Sequence, residues 1–374
     1  MSSKFPGRLA IQQRVLPVYR APFFDTLAAN CEGGMSLFAG DPRPIESIAT
    51  TKNLKIARYT HAKNRHILSG SLYFCYQQNI KIWLEETNPD ALILEANQRY
   101  LSTPVAIKWM RDRNRPVIGW GLGAPVRSGP LAGFRQKNWM RFLNRFDALI
   151  AYSQRGAADY AALGISKERI FVAYNSVAPK PKGEMLQRPL YKANEPLIIL
   201  FVGRLQTRKR LDNLIRAFEK MPEELMLRLW IVGDGPERNS LEKMASPLNS
   251  EKVERIRFFG ERHGVELDHI WAESDVFVLP GTGGLAVQEA MSHALPVIVA
   301  KGDGTQDDLV CAENGWQIPS DNLDVLISTL KDAISDIHRL RAMGAESWRI
   351  VAEDVNTEKM VEVFIQALRK VSKN

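Results

Sequence analysis

Short apolar runs recur along the chain and are separated by longer segments that mix apolar and polar residues. In the second half the clearest runs are PLIILFVG (196–203), MLRLWIVG (226–233), RIRFFG (255–260), DVFVLP (275–280) and PVIVA (296–300). Runs of this length are typical of strands buried in a parallel sheet, and the segments between them can hold helices of roughly 10–15 residues. The alternation predicts right-handed βαβ crossovers and a doubly wound α/β sheet.

The first half repeats this pattern less strongly. Strands are predicted at RLAIQQRV (8–15), ALILEA (91–96), PVIGW (116–120) and ALIAYS (148–153). Helical spacing of apolar residues is found at YFCYQQNIKIWLEE (73–86) and TPVAIKWMRDR (103–113). A second doubly wound domain is therefore expected here.

A segment with four prolines and no periodicity, residues 178–196, reads as a linker between the two halves. A chain of 374 residues is too long for one ordinary core and fits two domains. We expect an N-terminal domain over 1–180 and a C-terminal domain over 181–356. Open α/β sheets bind ligands at the carboxyl ends of their strands, so a ligand is expected in a cleft between the two domains.

The chain's excess of positive charge belongs to its first half. Residues 1–180 hold 25 Lys and Arg against 12 Asp and Glu, a net charge of +13, whereas residues 181–374 hold 25 against 30, a net charge of −5. Such a basic half suggests an acidic partner: nucleic acid, anionic lipid or a phosphorylated substrate. An ordinary solvated basic surface is the alternative.

The apolar runs and the cysteines indicate the cellular compartment of the protein. No run approaches the ~18 apolar residues that cross a bilayer, and MSSKFPGRL at the start has no secretory core. Cys31, Cys75 and Cys311 lack metal-ligand spacing and fit a reducing compartment. A cytoplasmic protein is expected.

One predicted helix, GFRQKNWMRFLNRF (133–146), is basic on one face and aromatic on the other. Lys137, Arg141 and Arg145 recur every four residues, opposite Trp139 and its apolar neighbours. The helix either packs on the sheet with a wet basic face or lies on an anionic membrane surface. The second option would place the protein peripherally on the inner face of a membrane, with a lipid-linked acceptor.

Candidate chemistry is concentrated after the strands of the second half. FVGRLQTRKRLDNLIRAF (201–218) puts Arg204 and Lys209 directly after a strand, and GTGGLAVQEAMSHA puts a glycine-rich turn before a helix. The unsatisfied N–H groups of a helix N-terminus bind phosphate, and fixed cations stabilise a departing diphosphate. Glu289, on that helix, could accept hydrogen bonds from ribose hydroxyls. These residues predict a nucleotide diphosphate site, with Arg208 and Arg210 left in solvent.

The same residues resemble the retaining family-4 glycosyltransferases of GT-B fold. FVGRLQTRKRLDNLIRAF is similar to the family signature, and IVGDGPERNSL, DVFVLP, QEAMSHALPVIVA and ENGW follow in the family's order over residues 195–320. The resemblance implies sugar transfer with retention from a nucleotide-diphosphate-sugar bound by the C-terminal domain to an acceptor bound by the N-terminal domain. The net charge of +13 in the first half favours an acceptor at a membrane, a glycan or lipid-linked molecule of polysaccharide or glycolipid synthesis, over a free sugar. The last segment, 357–374, would cross back to the first domain.

Matched residue by residue, the resemblance assigns roles in donor binding. Arg204 and Lys209 would hold the diphosphate and act in catalysis, and Glu289 would bind the ribose. No metal and no other cofactor is implied, because the two cations neutralise the leaving group; the sequence also lacks an Asp-x-Asp motif. The remaining donor-binding positions, at turns and the helix start, are Gly203, Gly283, Gly284 and Leu285.

The chain departs from the family pattern at two positions that are usually polar. Gly281 stands where a glutamate is common, and Leu122, in GWGLG (119–123), stands near a usual histidine. These departures leave open a second interpretation, a weak or inactive nucleotide-sugar-binding partner protein. A nucleic-acid-binding protein is a third, although no nucleic-acid motif is recognised.

An acceptor contact is expected at VYRAPFF (18–24), which opens the first helix of the first domain. Tyr19 and Arg20 would face the cleft. The alternative for Arg20 is that it only covers the packing of Phe23 and Phe24.

Overall fold

The computed structural model divides the chain into two compact units, Met1–Val177 with Thr357–Asn374, and Ala178–Asn356. The division falls at Val177, where the sequence predicted residue 180. The residues that the structure describes are 4–46, 48–124, 129, 132–190, 195–251, 253–283, 285–302, 306 and 308–372.

The first unit is built on one long sheet. Within its described residues the strand order is β4-β3-β2-β1-β5-β6-β7-β8, and every pair is parallel except β3 with β4. The strands are β1 Leu9–Val15, β2 Met35–Gly40, β3 Arg58–Ile67, β4 Phe74–Gln78, β5 Ala91–Glu95, β6 Val117–Gly121, β7 Ala148–Ala151 and β8 Ile170–Val172.

Helices of the first unit pack against this sheet and form two apolar cores. One core contains Phe23 and Trp120 together with residues from the C-terminal end of the chain, and the other contains Trp83 and Trp139. The helices are α1 Ala21–Ala29, α2 Ile80–Thr87, α3 Thr103–Arg111, α4 Ala132–Leu143, α5 Gln154–Ala162 and α12 Thr357–Ser372.

The helix predicted over 73–86 is wrong in its first half. Phe74–Gln78 forms β4, which pairs antiparallel with β3, and the helix begins only at Ile80. Cys75 and Gln77 are buried and Tyr76 between them is exposed, which is the period of two expected for a strand. The aromatic residues of this segment also fit helical spacing, so the sequence alone did not reveal the strand.

The basic amphipathic helix corresponds to α4, and its apolar face is occupied. Trp139 and Leu143 are buried in the core, whereas Lys137 and Arg141 are exposed. This favours the interpretation of a helix packed on the sheet with a wet basic face. Among the described residues of α4, Phe134 is an exposed aromatic residue, at 63%.

The second unit holds a fully parallel sheet. Within its described residues the order is β11-β10-β9-β12-β13-β14, with β9 at the centre. The strands are β9 Leu197–Val202, β10 Leu227–Val232, β11 Ile256–Gly260, β12 Val276–Leu279, β13 Val297–Ala300 and β14 Gly315–Ile318. The helices are α6 Leu211–Glu219, α7 Arg238–Ala245, α8 Val265–Glu273, α9 Leu285–Ser292, α10 Leu323–Ile334 and α11 Ile337–Glu353. The α/β class with two doubly wound, mainly parallel sheets is thus confirmed.

The segment predicted as a linker is anchored to the second unit. Arg188 donates hydrogen bonds to the carbonyl oxygens of Ser274 (2.8 Å), Ala294 (2.8 Å) and Trp271 (2.9 Å). Burial, with added repulsion from Arg341, lowers the pKa of Arg188 to about 10. Up to residue 190, this segment is therefore held in place and is not a free tether.

None of the described helices is both long and apolar enough to cross a bilayer.

The last helix, α12, contributes to the core of the first unit. Phe364 is fully buried, with its ring centroid 5.1 Å from that of Phe23 and 5.0 Å from that of Trp120. Met360, Ile365 and Leu368 are also buried in this core.

Truncation of Phe364 should therefore destabilise the first unit. Phe364→Ala is expected to lower its free energy of unfolding by about 3–5 kcal/mol, because a large cavity opens beside Trp120. Glu362→Ala on the exposed face of the same helix should change it by less than about 0.5 kcal/mol. Urea unfolding followed by tryptophan fluorescence gives both values. Equal effects of the two variants would show that α12 does not support this core.

Candidate functional site

The carboxyl ends of the central strands of the second unit bring three loops together. Because β9 lies between β10 and β12, the loop after β9 has the loops after the other two strands as its neighbours. Ligands of open α/β sheets bind at this edge. The glycine-rich and basic motifs of the sequence are therefore adjacent in space.

The loops after β9 and β10 touch backbone to backbone. The N–H of Leu205 donates to the carbonyl of Asp234 (2.9 Å), and the N–H of Glu237 donates to the carbonyl of Leu205 (3.1 Å). A Cβ atom at Gly233 would overlap the carbonyl of Gly203, and one at Gly235 would overlap that of Leu205. Glycine is thus required at 233 and 235 for close approach.

The loop after β12 touches the loop after β9 in the same way. The N–H of Thr282 donates to the carbonyl oxygen of Arg208 at 3.0 Å. A Cβ atom at Gly281 would overlap that oxygen and the backbone of Lys209. The glycine at 281, where the resemblance predicts a glutamate, is explained by the backbone, because this arrangement leaves no room for a side chain there.

Lys209 is the most unusual charged residue of this region. It ends the 3-10 turn Thr207–Lys209, and its half-buried side chain reaches Gly283, where a Cβ atom would collide with Nζ. Burial, with a further contribution from the charge of Arg208, lowers the pKa of Lys209 to about 8. Across the described part of the chain, no carboxylate lies within ion-pair distance of this ammonium group. A desolvated cation without a counter-ion is typical of a binding or catalytic site.

Arg204 lies on the same loop as Lys209 and is exposed. It lines an open pocket of about 650 Å³ together with other residues of the strand-end loops. Within the residues that the structure describes, its guanidinium makes no ion pair or hydrogen bond. The remaining lining residues are Gly203, Asp234, Gly235, Pro236 and Glu261.

The two other arginines of the motif differ from each other. Arg208 is exposed and donates to Gln206 Oε1 at 3.0 Å, as expected for a solvated residue. The same expectation is wrong for Arg210, which pairs with Asp212 at 3.2 Å and with Asp321. Arg210 has a left-handed backbone (φ 53°) and joins the 3-10 turn to α6. It orders the loop and does not face a ligand as a free cation.

Glu289 is half-buried on α9. Burial raises the pKa of its carboxyl group above the usual range, and the nearby Asp268 carboxylate raises it further. The indole of Trp271 partly offsets this shift, although its N–H does not reach hydrogen-bonding geometry. Glu289 therefore keeps acceptor capacity for an incoming hydroxyl group.

The predicted turn before α9 is described in part. Gly283 has a positive φ of 130°, and its carbonyl oxygen accepts a hydrogen bond from Gln306 Nε2 at 2.8 Å. Leu285 is the first residue of α9 and is half-buried. Gly284 lies outside the described residues.

The two acceptor-side candidates belong to the first unit and differ in exposure. Tyr19 is 46% exposed, but Arg20 is only 7% exposed. Arg20 donates to the Ser176 carbonyl oxygen at 3.3 Å and lies 5.6 Å from the centre of the Trp120 ring. Arg20 thus mainly supports packing, and Tyr19 remains the more accessible residue. Leu122, at the end of β6, is 61% exposed.

Sequence reasoning missed Pro236 and Glu261 as pocket residues. Glu261 follows β11 directly in FFGERHG, and the rule that ligands bind at strand ends could have identified it. Among the described residues, no group of three or more His, Cys, Asp and Glu side chains is suited to a metal ion.

Residues 184–347 match the family described as glycosyl transferases group 1. A GDP-mannose-dependent alpha-(1-6)-phosphatidylinositol monomannoside mannosyltransferase of Mycolicibacterium smegmatis is 24% identical over 61% of this chain and 61% of its own length. A GDP-mannose-dependent alpha-mannosyltransferase of Mycobacterium tuberculosis is 30% identical over 58% of this chain and 57% of its own length. The chain spans less than two thirds of the length of these relatives.

The fold is also found among solved structures. HepE of Anabaena, solved in complex with UDP, is 17% identical and superposes with a TM-score of 0.69 over 97% of this chain and 99% of its own. The two Rossmann-like units are those of the GT-B fold. Over residues 184–347, fewer than half of the 374 in the chain, the sequence is thus similar to the glycosyl transferases group 1 family.

Proposed function

We propose that this protein is a retaining glycosyltransferase that uses a nucleotide-diphosphate-sugar and needs no metal ion. The observation that carries the proposal is Lys209, a desolvated ammonium group with no described counter-ion, held against the glycine turn before α9. Arg204 adds a second cation in the neighbouring pocket. A donor diphosphate supplies the negative charge that this arrangement lacks.

The proposed chemistry follows from charge development on the leaving group. The bond between the sugar's anomeric carbon and the diphosphate oxygen breaks, and the acceptor oxygen forms a bond to the same carbon from the same face. The departing phosphate oxygen takes the acceptor's proton. Lys209 and Arg204 stabilise the growing negative charge, so their attraction is larger in the transition state than in the ground state. Glu289 accepts hydrogen bonds from the ribose and holds the nucleotide in place.

The acceptor is proposed to be a lipid-linked or polysaccharide-related molecule. One relative acts, by its name, on phosphatidylinositol monomannoside. The net charge of +13 over residues 1–180 would attract such an acceptor in an anionic membrane surface, with about 1 kcal/mol per basic residue near it. Phe134 and the exposed cations of α4 are placed to take part. We therefore propose that the protein acts at the cytoplasmic side of a membrane.

A second candidate, a non-catalytic nucleotide-sugar-binding protein, is favoured by Gly281 and Leu122 at usually polar positions. The two candidates differ in turnover. Slow hydrolysis of a nucleotide-sugar donor that is lost in Lys209→Ala supports the enzyme. Tight binding of the donor without any hydrolysis or transfer supports the second candidate.

Nucleotide binding should weaken as the pH rises through the pKa of Lys209. The ammonium form binds the diphosphate; it predominates below about pH 8 and is lost above that value. Between pH 7.5 and 9.5, where the terminal phosphate stays ionised, the dissociation constant should rise by up to about tenfold per pH unit. Isothermal titration with UDP, GDP and ADP across this range measures the effect.

Two lysine variants control this pH experiment. Lys209→Ala should lose most of the affinity together with its pH dependence, whereas Lys243→Ala, on the exposed surface of α7, should keep both. A steep pH dependence that persists in Lys209→Ala would contradict the assignment.

Gly281 should tolerate no side chain. Gly281→Ala is expected to push the Arg208–Lys209 backbone away, lowering stability by about 1–3 kcal/mol and weakening nucleotide binding about tenfold or more. Gly281→Glu, which introduces the residue that the resemblance predicts, should lower stability and weaken nucleotide binding at least as much. Gly133→Ala is the matched control, because a Cβ atom there meets open space. Binding titration and thermal unfolding check the series, and a Gly281→Glu variant with unchanged or improved activity would refute the interpretation.

A further inference from the structure

The geometry points to guanine as the donor base, with Glu261 as the residue that selects it. This inference rests on the proposed function, because it concerns the base half of the same nucleotide. The donor class would then be a GDP-sugar.

Glu261 lines the same open pocket as Arg204. It follows β11 directly, and β11 is hydrogen-bonded to β10, so the pocket extends from the β9 loop across the β10 loop to the β11 loop. The diphosphate cations are at the β9 end of this path. Glu261 therefore lies at the far end, where the part of the nucleotide distant from the phosphates must be.

Glu289, the proposed ribose-binding residue, lies near the loop that carries Glu261. His263 lies close enough to Glu289 to lower the pKa of that carboxyl, against the larger effects of burial and Asp268 that raise it. The same imidazole is 3.2 Å from the Glu261 carboxylate, measured from Nε2 to Oε1. The loop after β11 leads directly into α8, whose Asp268 lies 3.7 Å from His293 at the end of α9, so this loop adjoins the helix that carries Glu289. A nucleoside with its ribose on Glu289 would present its base to this loop.

Glu261 has acceptor capacity to spare. Its side chain is 70% exposed, and among the described residues only His263 engages the carboxylate. Each carboxylate oxygen has two lone pairs, so Oε1 can accept from both His263 and a base. Asp234, the other acidic residue lining the pocket, is already engaged by the N–H of Gly235 at 2.7 Å and by Arg238 at 3.0 Å.

A carboxylate discriminates between the bases by their hydrogen-bonding edges. Guanine presents two adjacent donors, N1–H and the N2 amino group, which match the two oxygens of a carboxylate. Uracil and thymine present one N–H between two carbonyl oxygens, and those oxygens are repelled by a carboxylate. Adenine and cytosine each place a single amino donor beside an acceptor nitrogen. Selection therefore combines attraction to guanine with repulsion of the alternatives.

Isothermal titration of the full-length protein with GDP, UDP and ADP at pH 7.5 tests the inference. GDP should bind at least about tenfold more tightly than UDP or ADP, the discrimination expected from one bidentate pair. Glu261→Gln should weaken the binding of GDP about tenfold. It should leave the binding of UDP unchanged or make it tighter, because an amide can donate a hydrogen bond to a uracil carbonyl. Glu254→Gln, an exposed change of the same charge just before β11, is the matched control and should change neither.

The outcomes separate this inference from the proposed function. Tighter binding of UDP or ADP than GDP, abolished by Lys209→Ala, would overturn the guanine assignment and leave the glycosyltransferase proposal intact. A preference for GDP that Glu261→Gln does not reduce would overturn the role of Glu261. Failure of all three nucleotides to bind, or binding unaffected by Lys209→Ala, would remove the basis of both.

Discussion

The close approach of three backbone loops at one edge of the second sheet is the constraint on which the candidate site depends. Glycines at 233, 235 and 281 let the loops touch through their main chains, with no side chains between them. That contact fixes the 3-10 turn of Thr207–Lys209 against the turn before α9. The ammonium group of Lys209 is thereby held beside Gly283, partly removed from water and without a described counter-ion.

An unpaired, desolvated cation costs folding free energy, and the surrounding structure has to compensate for it. Other interactions in the second unit can offset this cost. They include the Arg341–Asp275 ion pair, whose atoms are 2.7 Å apart, and the three hydrogen bonds that Arg188 donates to carbonyl oxygens. Arg210 differs from Arg204 and Lys209 because it forms ion pairs with Asp212 and Asp321, and these pairs order the loop. The four basic residues of one short motif thus divide between binding and structure.

Sequence patterns predicted the central strands and the residues at their ends because both signals are local. Buried parallel strands read as continuous apolar runs, and strand-end glycines with basic residues follow them directly. Strands at the edge of the first sheet were harder to predict from the sequence. β3 is polar along most of its length, and β4 carries aromatic residues whose spacing also fits a helix. Neither is recognisable until its pairing partner is known.

The site was also only partly predictable, because some of its residues are positioned by contacts with distant parts of the chain. The pairing of Arg210 with Asp321 and the engagement of Arg20 with Ser176 join residues far apart in the chain, so exposure could not be judged from the motif alone. The reason for Gly281 is the backbone of another loop, which no local pattern reveals. Arg204, Lys209 and Glu289 could be named from the sequence, whereas the desolvation of Lys209 required the fold.

The most direct test of this account is the thermal unfolding of Lys209→Met with and without a saturating nucleoside diphosphate. Methionine fills a similar volume without a charge to desolvate, so the free variant should be at least as stable as the wild type. The wild type should gain about 2.7 kcal/mol at a hundredfold excess of ligand over its dissociation constant, and the variant, at the same ligand concentration, should gain almost none. A variant that is destabilised, or that the nucleotide still stabilises fully, would contradict the central claim that Lys209 is kept desolvated in order to bind a diphosphate.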